Sequence, residues 1–477
     1  MKTNIIPEPQ RVKIKSENAV FTLTRLAEIS ADEKSGKGLR SLLRFLEKAF
    51  EIEVVGTGKE SVELKVSPDI AEKEGYRLSV GENRVLIEGA DEAGVFWGVQ
   101  TFCELLFEND RSLCALEIYD FPLFEKRAFM LDCASWFFTV DAVKLFLDAM
   151  AMHKLNVFHW KLTDDTGWRL ELFDNYLLSQ IGGFRAFTGL GKVPHGGFYS
   201  RKDTEEIIDY AAECCIAVVP EITVPDHTVA AISAYPFLSC FEKEIGVATD
   251  FKEQKTALCL GKESTYDFLS SVFFEVSSVF KSGTVHIGGE RVQKVDRSGC
   301  PHCREKMNGL SLKDEKELYE YFLKRSAEIA ASCGLKTVIR LESLNLPKGV
   351  ICDCESDESN KKARAAKEKR IDSRFDFSLP YSDFKIEDIY NLEQEQENRP
   401  FALEARLKTK SVPTMKKAGE LLFPRLGAFS ELAWTKKENR SRVRFDEKID
   451  DYCRLVEFLP FDHMKKRKGL FGLFKRK

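Results

Sequence analysis

Short apolar segments alternate with helical patterns between residues 127 and 440. Amphipathic spacing at residues 140–153 and 202–214 predicts helices between several of these segments. Because alternation of strands and helices favours parallel pairing, eight such strands predict a closed barrel. The predicted strands are residues 128–132, 156–160, 217–222, 284–288, 337–341, 350–352, 370–372 and 401–405. We therefore expect an α/β fold that contains a (β/α)8 TIM barrel.

The first 120 residues show a different pattern, with short strands and one helix. Residues 75–89 predict a β-hairpin, because two roughly alternating runs flank a Gly-Glu-Asn turn. Residues 91–107 carry apolar side chains at helical spacing, and Asp91 takes the N-cap position. The predicted parts are a small α+β N-terminal domain (1–120), the barrel (121–440), a C-terminal helix packed on the barrel (441–463) and a basic tail (464–477).

Composition indicates a globular protein and gives no sign of nucleic-acid binding. The 477 residues are 43% apolar and 31% charged, and the formal net charge is −4. The first residues contain no apolar secretory core, and the chain has no run of uncharged apolar residues long enough to cross a membrane. The 13 cysteines are odd in number and lie mostly in apolar segments, which favours reduced thiols and a cytoplasmic location.

The C-terminal tail, MKKRKGLFGLFKRK, holds seven basic residues and no acidic one. A disordered, solubilising end is the interpretation we favour, because the apolar part of the tail is short. The alternative is weak contact with an anionic membrane surface, where each basic residue contributes about 1 kcal/mol.

Long, ordered motifs resemble the signatures of glycoside hydrolase family 20, the β-N-acetylhexosaminidase family. The barrel motifs are RAFMLDCASWFF, DAMAMHKLNVFHWKLTDDTGWRLEL, VPEITVPDHT, VHIGGERV and FPRLGAFSELAW. The segments NIIPEPQ and EGYRLSV resemble the N-terminal domain of that family. The resemblance covers nearly the whole chain up to about residue 440, and its motifs are correctly spaced.

The resemblance implies removal of terminal N-acetylhexosamines with retention, without a cofactor. The acetamido oxygen of the substrate serves as the nucleophile in this family, which departs from the usual two-carboxylate scheme. The family pattern H-x-G-G-D-E places an Asp that orients the acetamido group before a Glu that protonates the leaving oxygen. In this chain the two positions hold Glu290 and Arg291. The resemblance also assigns Asp164 and His227 to a relay that assists the acid.

The changed pair predicts impaired catalysis. Arg291 stays protonated at physiological pH and cannot donate a proton, and loss of a positioned acid typically costs about 10²- to 10⁴-fold in rate. Glu290 is one methylene longer than the Asp of the family pattern. Because neighbouring strand residues point to opposite faces, we do not expect Glu290 to replace the acid unless the strand end reorganises.

Other pocket positions depart from the family as well. Ser135 stands where the family has a sugar-binding Arg, and Thr223 stands where it has an Asp. Basic residues replace several others, which predicts a cationic mouth that attracts a phosphate, carboxylate or sulfate. The alternative is drift, with long basic side chains that reach solvent. The basic replacements are Lys161, Arg291, Arg340, Arg374, Lys408 and Lys410. The predicted ligand-binding residues are Asp376, Arg291, Arg340, Lys408 and Lys410.

Two cysteine pairs raise the question of a metal. The spacings Cys300-x-x-Cys303 and Cys352-x-Cys354 together offer four thiolates, enough for structural zinc. Zinc is the less favoured interpretation and stays open, and the predicted site residues include no metal ligand.

Three hypotheses for function stay open. The first, motivated by Arg291 and Ser135, is a pseudoenzyme that binds a carbohydrate or an anionic small molecule. The second is an active glycosidase of altered specificity that uses Glu290. The third is a scaffold in which the pocket plays no part. We predict a hexosaminidase-like barrel with impaired activity.

Overall fold

The N-terminal part of the chain is a mixed six-stranded sheet with two helices. In this computed structural model the described residues are 3–187, 193–290, 295, 297–341, 345–392, 399–459 and 461. The strands are β1 (Arg11–Thr22), β2 (Glu28–Ala31), β3 (Ser61–Val66), β4 (Tyr76–Val80), β5 (Arg84–Gly89) and β6 (Ser112–Asp120), in the order β1-β6-β4-β5-β3-β2. The helices are α1 (Gly36–Phe50) and α2 (Glu92–Glu108).

The predicted hairpin and capped helix of this part are confirmed. Strands β4 and β5 pair antiparallel, with Val80 opposite Val85 next to the turn. The side chain of Asp91 accepts a hydrogen bond from the backbone N–H of Gly94 at 2.8 Å, which satisfies one of the free donors at the start of α2. Twelve residues of α2 are buried, so this helix is the centre of the N-terminal core.

Eight parallel strands close into the predicted barrel, and each overlaps one of the eight predicted strands. The barrel order is β13-β14-β15-β16-β17-β18-β7-β8. The strands after β6 are β7 (Lys126–Asp132), β8 (Val157–Lys161), β9 (Thr163–Asp164), β10 (Gly167–Trp168), β11 (Phe184–Arg185), β12 (His195–Gly196), β13 (Ala217–Val224), β14 (Thr284–Gly288), β15 (Lys336–Arg340), β16 (Ile351–Cys354), β17 (Arg370–Asp376) and β18 (Ala402–Leu407). The short pairs β9–β10 and β11–β12 lie in the connection from β8 to β13.

Helices follow the barrel strands, and the predictions at 140–153 and 202–214 are confirmed as α3 and α5. The helices are α3 (Val140–Met152), α4 (Leu177–Gln180), α5 (Arg201–Glu213), α6 (Val229–Ala234), α7 (Glu263–Val279), α8 (Pro301–Gly309), α9 (Glu315–Ser332), α10 (Asp357–Ala365), α11 (Ile386–Asn391), α12 (Met415–Leu422), α13 (Arg425–Trp434) and α14 (Arg442–Val456). Within the described ranges, none of the helices combines the length and apolarity that a bilayer crossing requires. The basic tail, residues 464–477, lies outside the described residues.

A buried polar cluster joins the N-terminal sheet to the bottom of the barrel. Arg127 of β7 is fully buried, and its Nη2 lies 2.5 Å from Oε2 of Glu74. The same carboxylate accepts hydrogen bonds from Trp97 and Asn156, both at 3.0 Å. The Arg127 guanidinium also lies 5.0 Å from the ring centre of Trp434, in cation–π contact. One charged residue therefore connects both domains, and it tolerates burial because its charge is paired.

Candidate active site

A row of three side chains crosses the carboxyl end of the barrel. His227, in the loop after β13, places Nδ1 2.9 Å from Oδ2 of Asp165 and Nε2 3.3 Å from Oε2 of Glu290. Burial opposes protonation of the ring, but the hydrogen bonds to Asp165 and Glu290 outweigh it and raise the pKa of His227 to about 10. His227 has a φ of 57°, a conformation sparsely populated by residues other than glycine.

Glu290 reaches this histidine because the end of β14 does not continue as a strand. Gly288 and Gly289, the two residues before Glu290, have φ values of 73° and 95°, which glycine adopts without a Cβ penalty. Alternation of strand faces therefore ends before Glu290. The strand end therefore departs from the alternation on which the sequence analysis relied, and the expectation that Glu290 does not replace the acid stays a prediction.

The direct acidic partner of His227 is Asp165, whereas the sequence analysis assigned that role to Asp164. Asp164 lies 3.9 Å from the ring and instead contacts Lys161, with Oδ2 2.6 Å from Nζ. Burial would raise the pKa of Asp164, but Lys161 and His227 lower it to about 2. Lys161 stands where the family motif has its second histidine, so the basic replacement engages the first aspartate of the pair.

Glu290 is held as a carboxylate by a buried guanidinium. Its Oε1 lies 2.5 Å from Nη1 of Arg340, whose side chain is 3% exposed. Burial alone would raise the pKa of Glu290, but Arg340 and His227 outweigh it and hold that pKa well below its usual range. A carboxyl group in this setting accepts hydrogen bonds and does not carry a proton near neutral pH.

Arg340 belongs to a barrel-mouth charge network that several strand ends share. We use this name for a set of side chains at the carboxyl ends of β14, β15, β16 and β18. Arg340 Nε lies 2.5 Å from Glu355 and 3.2 Å from Asp353, and Arg406 pairs with both acids. Lys408 Nζ lies 2.8 Å from Glu355. The network consists of Glu290, Arg340, Asp353, Glu355, Arg406 and Lys408.

Below the network lies a second layer of buried polar side chains. His159 bridges Glu221 at 2.9 Å and Glu404 at 3.0 Å, and these carboxylates overcome burial to raise the pKa of His159 to about 9. His286 accepts a hydrogen bond from Gly288 N–H at Nδ1, and its Nε2 lies 3.0 Å from Asp353. Burial lowers the pKa of His286 despite the nearby acids, which fits a neutral ring.

Of the five predicted ligand-binding residues, three form ion pairs within the protein, one is exposed and one lies outside the described ranges. Asp376 accepts hydrogen bonds from the hydroxyl and the backbone N–H of Ser378, and Lys408 lies 3.7 Å from its carboxylate. Lys410 is exposed, and its backbone carbonyl accepts a hydrogen bond from Trp136 at 3.3 Å. Arg291 lies outside the described residues.

The other replacements also find partners within the protein. Ser135, in place of the sugar-binding Arg, donates from its hydroxyl to Asp132 at 2.6 Å. Arg374 pairs with Asp372 at 2.7 Å and with Asp357 at the start of α10. The alternative of evolutionary drift predicts basic side chains that reach solvent, and the buried Arg340 does not fit that prediction. The described residues also do not form the predicted cationic mouth, because acids accompany the basic side chains.

Sequence reasoning missed most of the acids in these two layers. Glu221 was quoted within a motif, whereas Asp353, Glu355, Glu404 and Arg406 received no role. A signal was available, because Glu404 and Arg406 stand two positions apart in β18, and Asp353 and Glu355 have the same spacing across the end of β16, in segments that are otherwise mostly apolar. Such alternation places all of these charges on one face of a strand, and in a closed barrel that face is the interior.

Three groups of described residues have metal-binding geometry. They are Cys240, Cys259, Cys300 and Cys303; His159, Glu221 and His286; and Asp164, Asp165 and His227. The two carboxylate and histidine groups already satisfy one another by hydrogen bonds and ion pairs. The structure does not bring together the two cysteine pairs that the sequence suggested, because Cys352 and Cys354 pack with Leu341 and Ala363 in a separate cluster.

Comparisons with known proteins identify the relatives of this architecture. Residues 124–352 match the model of the glycosyl hydrolase family 20 catalytic domain, and residues 2–121 match the model of glycosyl hydrolase family 20, domain 2. A beta-hexosaminidase from Porphyromonas gingivalis is 29% identical over 415 residues, which cover 80% of this chain. The chain spans about half, 53%, of the length of that curated relative.

Solved structures agree with the sequence matches. The β-N-acetylhexosaminidase from Bacteroides fragilis is 28% identical, with a TM-score of 0.83 and coverage of 96% of each chain. The GH20 exo β-N-acetylglucosaminidase from Vibrio harveyi in complex with N-acetylglucosamine has a TM-score of 0.86 at 24% identity. The match covers 97% of this chain and 78% of the Vibrio harveyi chain. At 24% identity, this likeness concerns the fold alone.

Proposed function

Because the chain belongs to glycosyl hydrolase family 20, we propose that it is a carbohydrate-binding member whose hydrolysis of β-N-acetylhexosaminides is impaired. The observation that carries this proposal is the contact of 2.5 Å between Arg340 and Glu290. Glu290 is the described carboxylate that reaches the histidine relay, and Arg291 follows it where the family has its acid.

Proton donation is the first step that this arrangement hinders. A general acid works best when its pKa lies near the operating pH, as burial among apolar groups can achieve. Arg340 acts in the opposite direction and lowers the pKa of Glu290. Absence of a protonated carboxyl group at the leaving oxygen would cost about 10²- to 10⁴-fold in rate.

The second step that this arrangement hinders is stabilisation of the transition state. Glycoside cleavage passes through an oxocarbenium-like state, in which positive charge develops on the sugar ring. A fixed guanidinium beside the reacting region disfavours that charge and neutralises the carboxylate that would stabilise it. The pair of Glu290 with Arg340 therefore opposes both tasks that the family assigns to its Asp and Glu.

Binding of carbohydrate is the part of the proposal that rests on the family. The chain keeps the complete barrel with its N-terminal domain, and a relative of the same fold holds N-acetylglucosamine. N-acetylhexosamine derivatives are the ligands we would test first. An anionic ligand is less well supported, because each basic residue of the barrel-mouth charge network already has a carboxylate partner. Contact of the basic tail with an anionic membrane stays a prediction.

An active glycosidase is a second candidate, and one observation favours it. The row Asp165–His227–Glu290, with contacts of 2.9 and 3.3 Å, has the form of a relay that ends in a carboxyl group. If substrate binding separated Glu290 from Arg340, the pKa of Glu290 would rise and the group could act as an acid. This candidate predicts that Glu290→Gln abolishes turnover.

The deciding experiment compares hydrolysis and binding in the same preparations. We would measure cleavage of an aryl β-N-acetylglucosaminide by the full chain and by Glu290→Gln, and binding of N-acetylglucosamine by titration calorimetry. We expect binding with no turnover above background in either protein. Turnover of about 1 s⁻¹ or more that Glu290→Gln abolishes would refute impairment and establish Glu290 as the acid. Absence of both binding and turnover would leave the barrel as a scaffold.

Location remains a proposal as well. All 13 cysteines are free thiols in the structure, which supports a reducing compartment such as the cytoplasm. Fractionation of cells that express the chain, followed by detection of the protein in the soluble and membrane fractions, would test it.

A further inference from the structure

Four cysteines from three separate segments meet beside the barrel. Cys240 follows the short turn after α6, Cys259 precedes α7, and Cys300 and Cys303 lie at the start of α8. Their four sulfur atoms all lie within 4.8 Å of one another. Three of the side chains are fully buried and the Cys240 side chain is partly exposed. The sequence analysis anticipated the pair at 300 and 303 but not its partners, which lie 41 to 63 residues earlier in the chain.

The spacing of the sulfur atoms matches a tetrahedral metal site. Cys259 Sγ lies 3.7 Å from both Cys300 Sγ and Cys303 Sγ, and Cys240 Sγ lies 3.9 Å from Cys303 Sγ. Four thiolates bound to zinc at about 2.3 Å have sulfur atoms about 3.8 Å apart, the edge of the tetrahedron. A disulfide would require about 2.05 Å. The cluster has the metal spacing in each measured pair.

We infer that Cys240, Cys259, Cys300 and Cys303 bind a structural zinc ion, a site outside the barrel mouth. Tetrahedral coordination by four thiolates is typical of zinc or of an iron centre. Zinc is the assignment we make because the site is closed, with no described histidine or carboxylate among its four ligands, as in structural zinc sites.

Close backbone packing holds the ligand segments together. Gly261 is required in the segment of Cys259, because a Cβ there would lie 2.2 Å from the carbonyl of His302. The segment of Cys259 therefore packs directly on the turn that presents Cys303.

The cysteine cluster also contacts loops that lead to the candidate active site. Lys262 Nζ donates to the carbonyls of Phe237 and Ser239, at 2.9 and 2.8 Å, and so holds the segment of Cys240. Leu258, next to Cys259, donates its N–H to the carbonyl of Pro225, two residues before His227. A metal at the cluster would cross-link the loop after β13 to the segment after β14, the two segments that carry His227 and Glu290.

The test is the metal content of the full chain and of matched cysteine variants. Protein produced with added zinc would be dialysed against metal-free buffer that contains a reductant, and bound metals would be measured by mass spectrometry. We expect about one zinc ion per chain in the wild type and in Cys354→Ser, a buried cysteine outside the cluster. Cys259→Ser and Cys300→Ser should lose most of this zinc.

A second measurement covers the case in which the cysteine variants fail to fold. Stepwise titration of wild-type thiols with an organomercurial should release zinc as the cluster thiols react, and Co²⁺ in place of zinc should give the visible absorption of a tetrahedral thiolate complex. Wild-type protein with less than about a tenth of an equivalent of zinc after zinc supplementation would overturn the proposal. Disulfides among the four cysteines, or iron bound in place of zinc, would overturn it as well.

Discussion

Replacement of Arg340 by Met is the most direct test of the barrel-mouth charge network. The guanidinium lies 2.5 Å from Glu290, 2.5 Å from Glu355 and 3.2 Å from Asp353, and it is 3% exposed. Methionine fills a similar volume without charge, so the change removes the cation and leaves its acids in place. We expect a large loss of stability because buried carboxylates lose their partner.

The expected loss of stability depends on how many of the acids keep another partner after Arg340 is replaced. Loss of one partner of a buried ion pair typically costs about 3–5 kcal/mol. Arg406 still contacts Asp353 and Glu355, and His227 still contacts Glu290, so none of the three acids is left alone. We therefore expect the lower end, a decrease of about 3 kcal/mol in the free energy of unfolding.

The dependence of this loss on pH has a definite sign. In the wild type, and against the effect of burial, Arg340 lowers the pKa of Glu290, and it adds to the stronger effects of Arg406 and His286 that lower the pKa of Asp353. The stabilisation by these two carboxylates is therefore present above about pH 4.5 and is lost as pH falls through their folded pKa values. In Arg340→Met the same acids lose a cation and take up protons at higher pH. The stability difference between the two proteins should therefore be largest near neutral pH and shrink as pH falls.

The assay is urea unfolding followed by circular dichroism at several pH values. Arg40→Met is the matched control, because Arg40 pairs with Glu213 at 2.7 Å on the surface, with 60% of its side chain exposed. That change should cost at most about 1 kcal/mol. The reasoning would be refuted if Arg340→Met were within 1 kcal/mol of the wild type near neutral pH, or if the difference grew on acidification.

Three further predictions concern other parts of the molecule. Glu74→Gln leaves the buried Arg127 without its counter-ion and should cost about 3 kcal/mol in chemical denaturation, with Glu63→Gln on the surface as the control. Gly288→Ala should lower the melting temperature, because φ is 73° and a Cβ would lie 2.7 Å from Thr223; an unchanged melting temperature would contradict the geometry. Glu355 and Asp164 have pKa values of about 2, so their stabilisation is present above about pH 4.5 and should disappear between about pH 4 and 2; near-UV circular dichroism that is unchanged across that range would argue against it.

The sequence was sufficient for the architecture but not for the arrangement of the site. Eight barrel strands were predicted, although the last three are weakly signalled and periodicity alone would not have found them all. The contacts of Arg340 could not be predicted, since its partners come from β14 and β16 and the loops that follow them. Nor could the direction of the Glu290 side chain, because it depends on the positive φ values of Gly288 and Gly289, where the alternation of strand faces ends.

The same limit explains the cysteine cluster and the relay. Cys300 and Cys303 are adjacent in sequence, whereas Cys240 and Cys259 approach them only because the long connection from β13 to β14 folds back on itself. In the relay, the resemblance assigned the first of two neighbouring aspartates, Asp164, whereas the structure places Asp165 against His227. Lys161 decides between them, because it engages Asp164 at 2.6 Å and leaves Asp165 to the histidine.

Ion pairing at the barrel mouth bears on the proposal that catalysis is impaired. If basic residues had replaced pocket residues without constraint, some would be buried and unpaired, at a cost of about 3–5 kcal/mol each, or would extend into solvent. Arg340 does neither, since it is 3% exposed and shares the carboxylates of Asp353 and Glu355 with the buried Arg406. These charges depend on one another, so the mouth is a cooperative polar core in which Glu290 is one member. A carboxylate committed to such a core stabilises the fold, and in the function we propose this commitment is what removes Glu290 from acid catalysis.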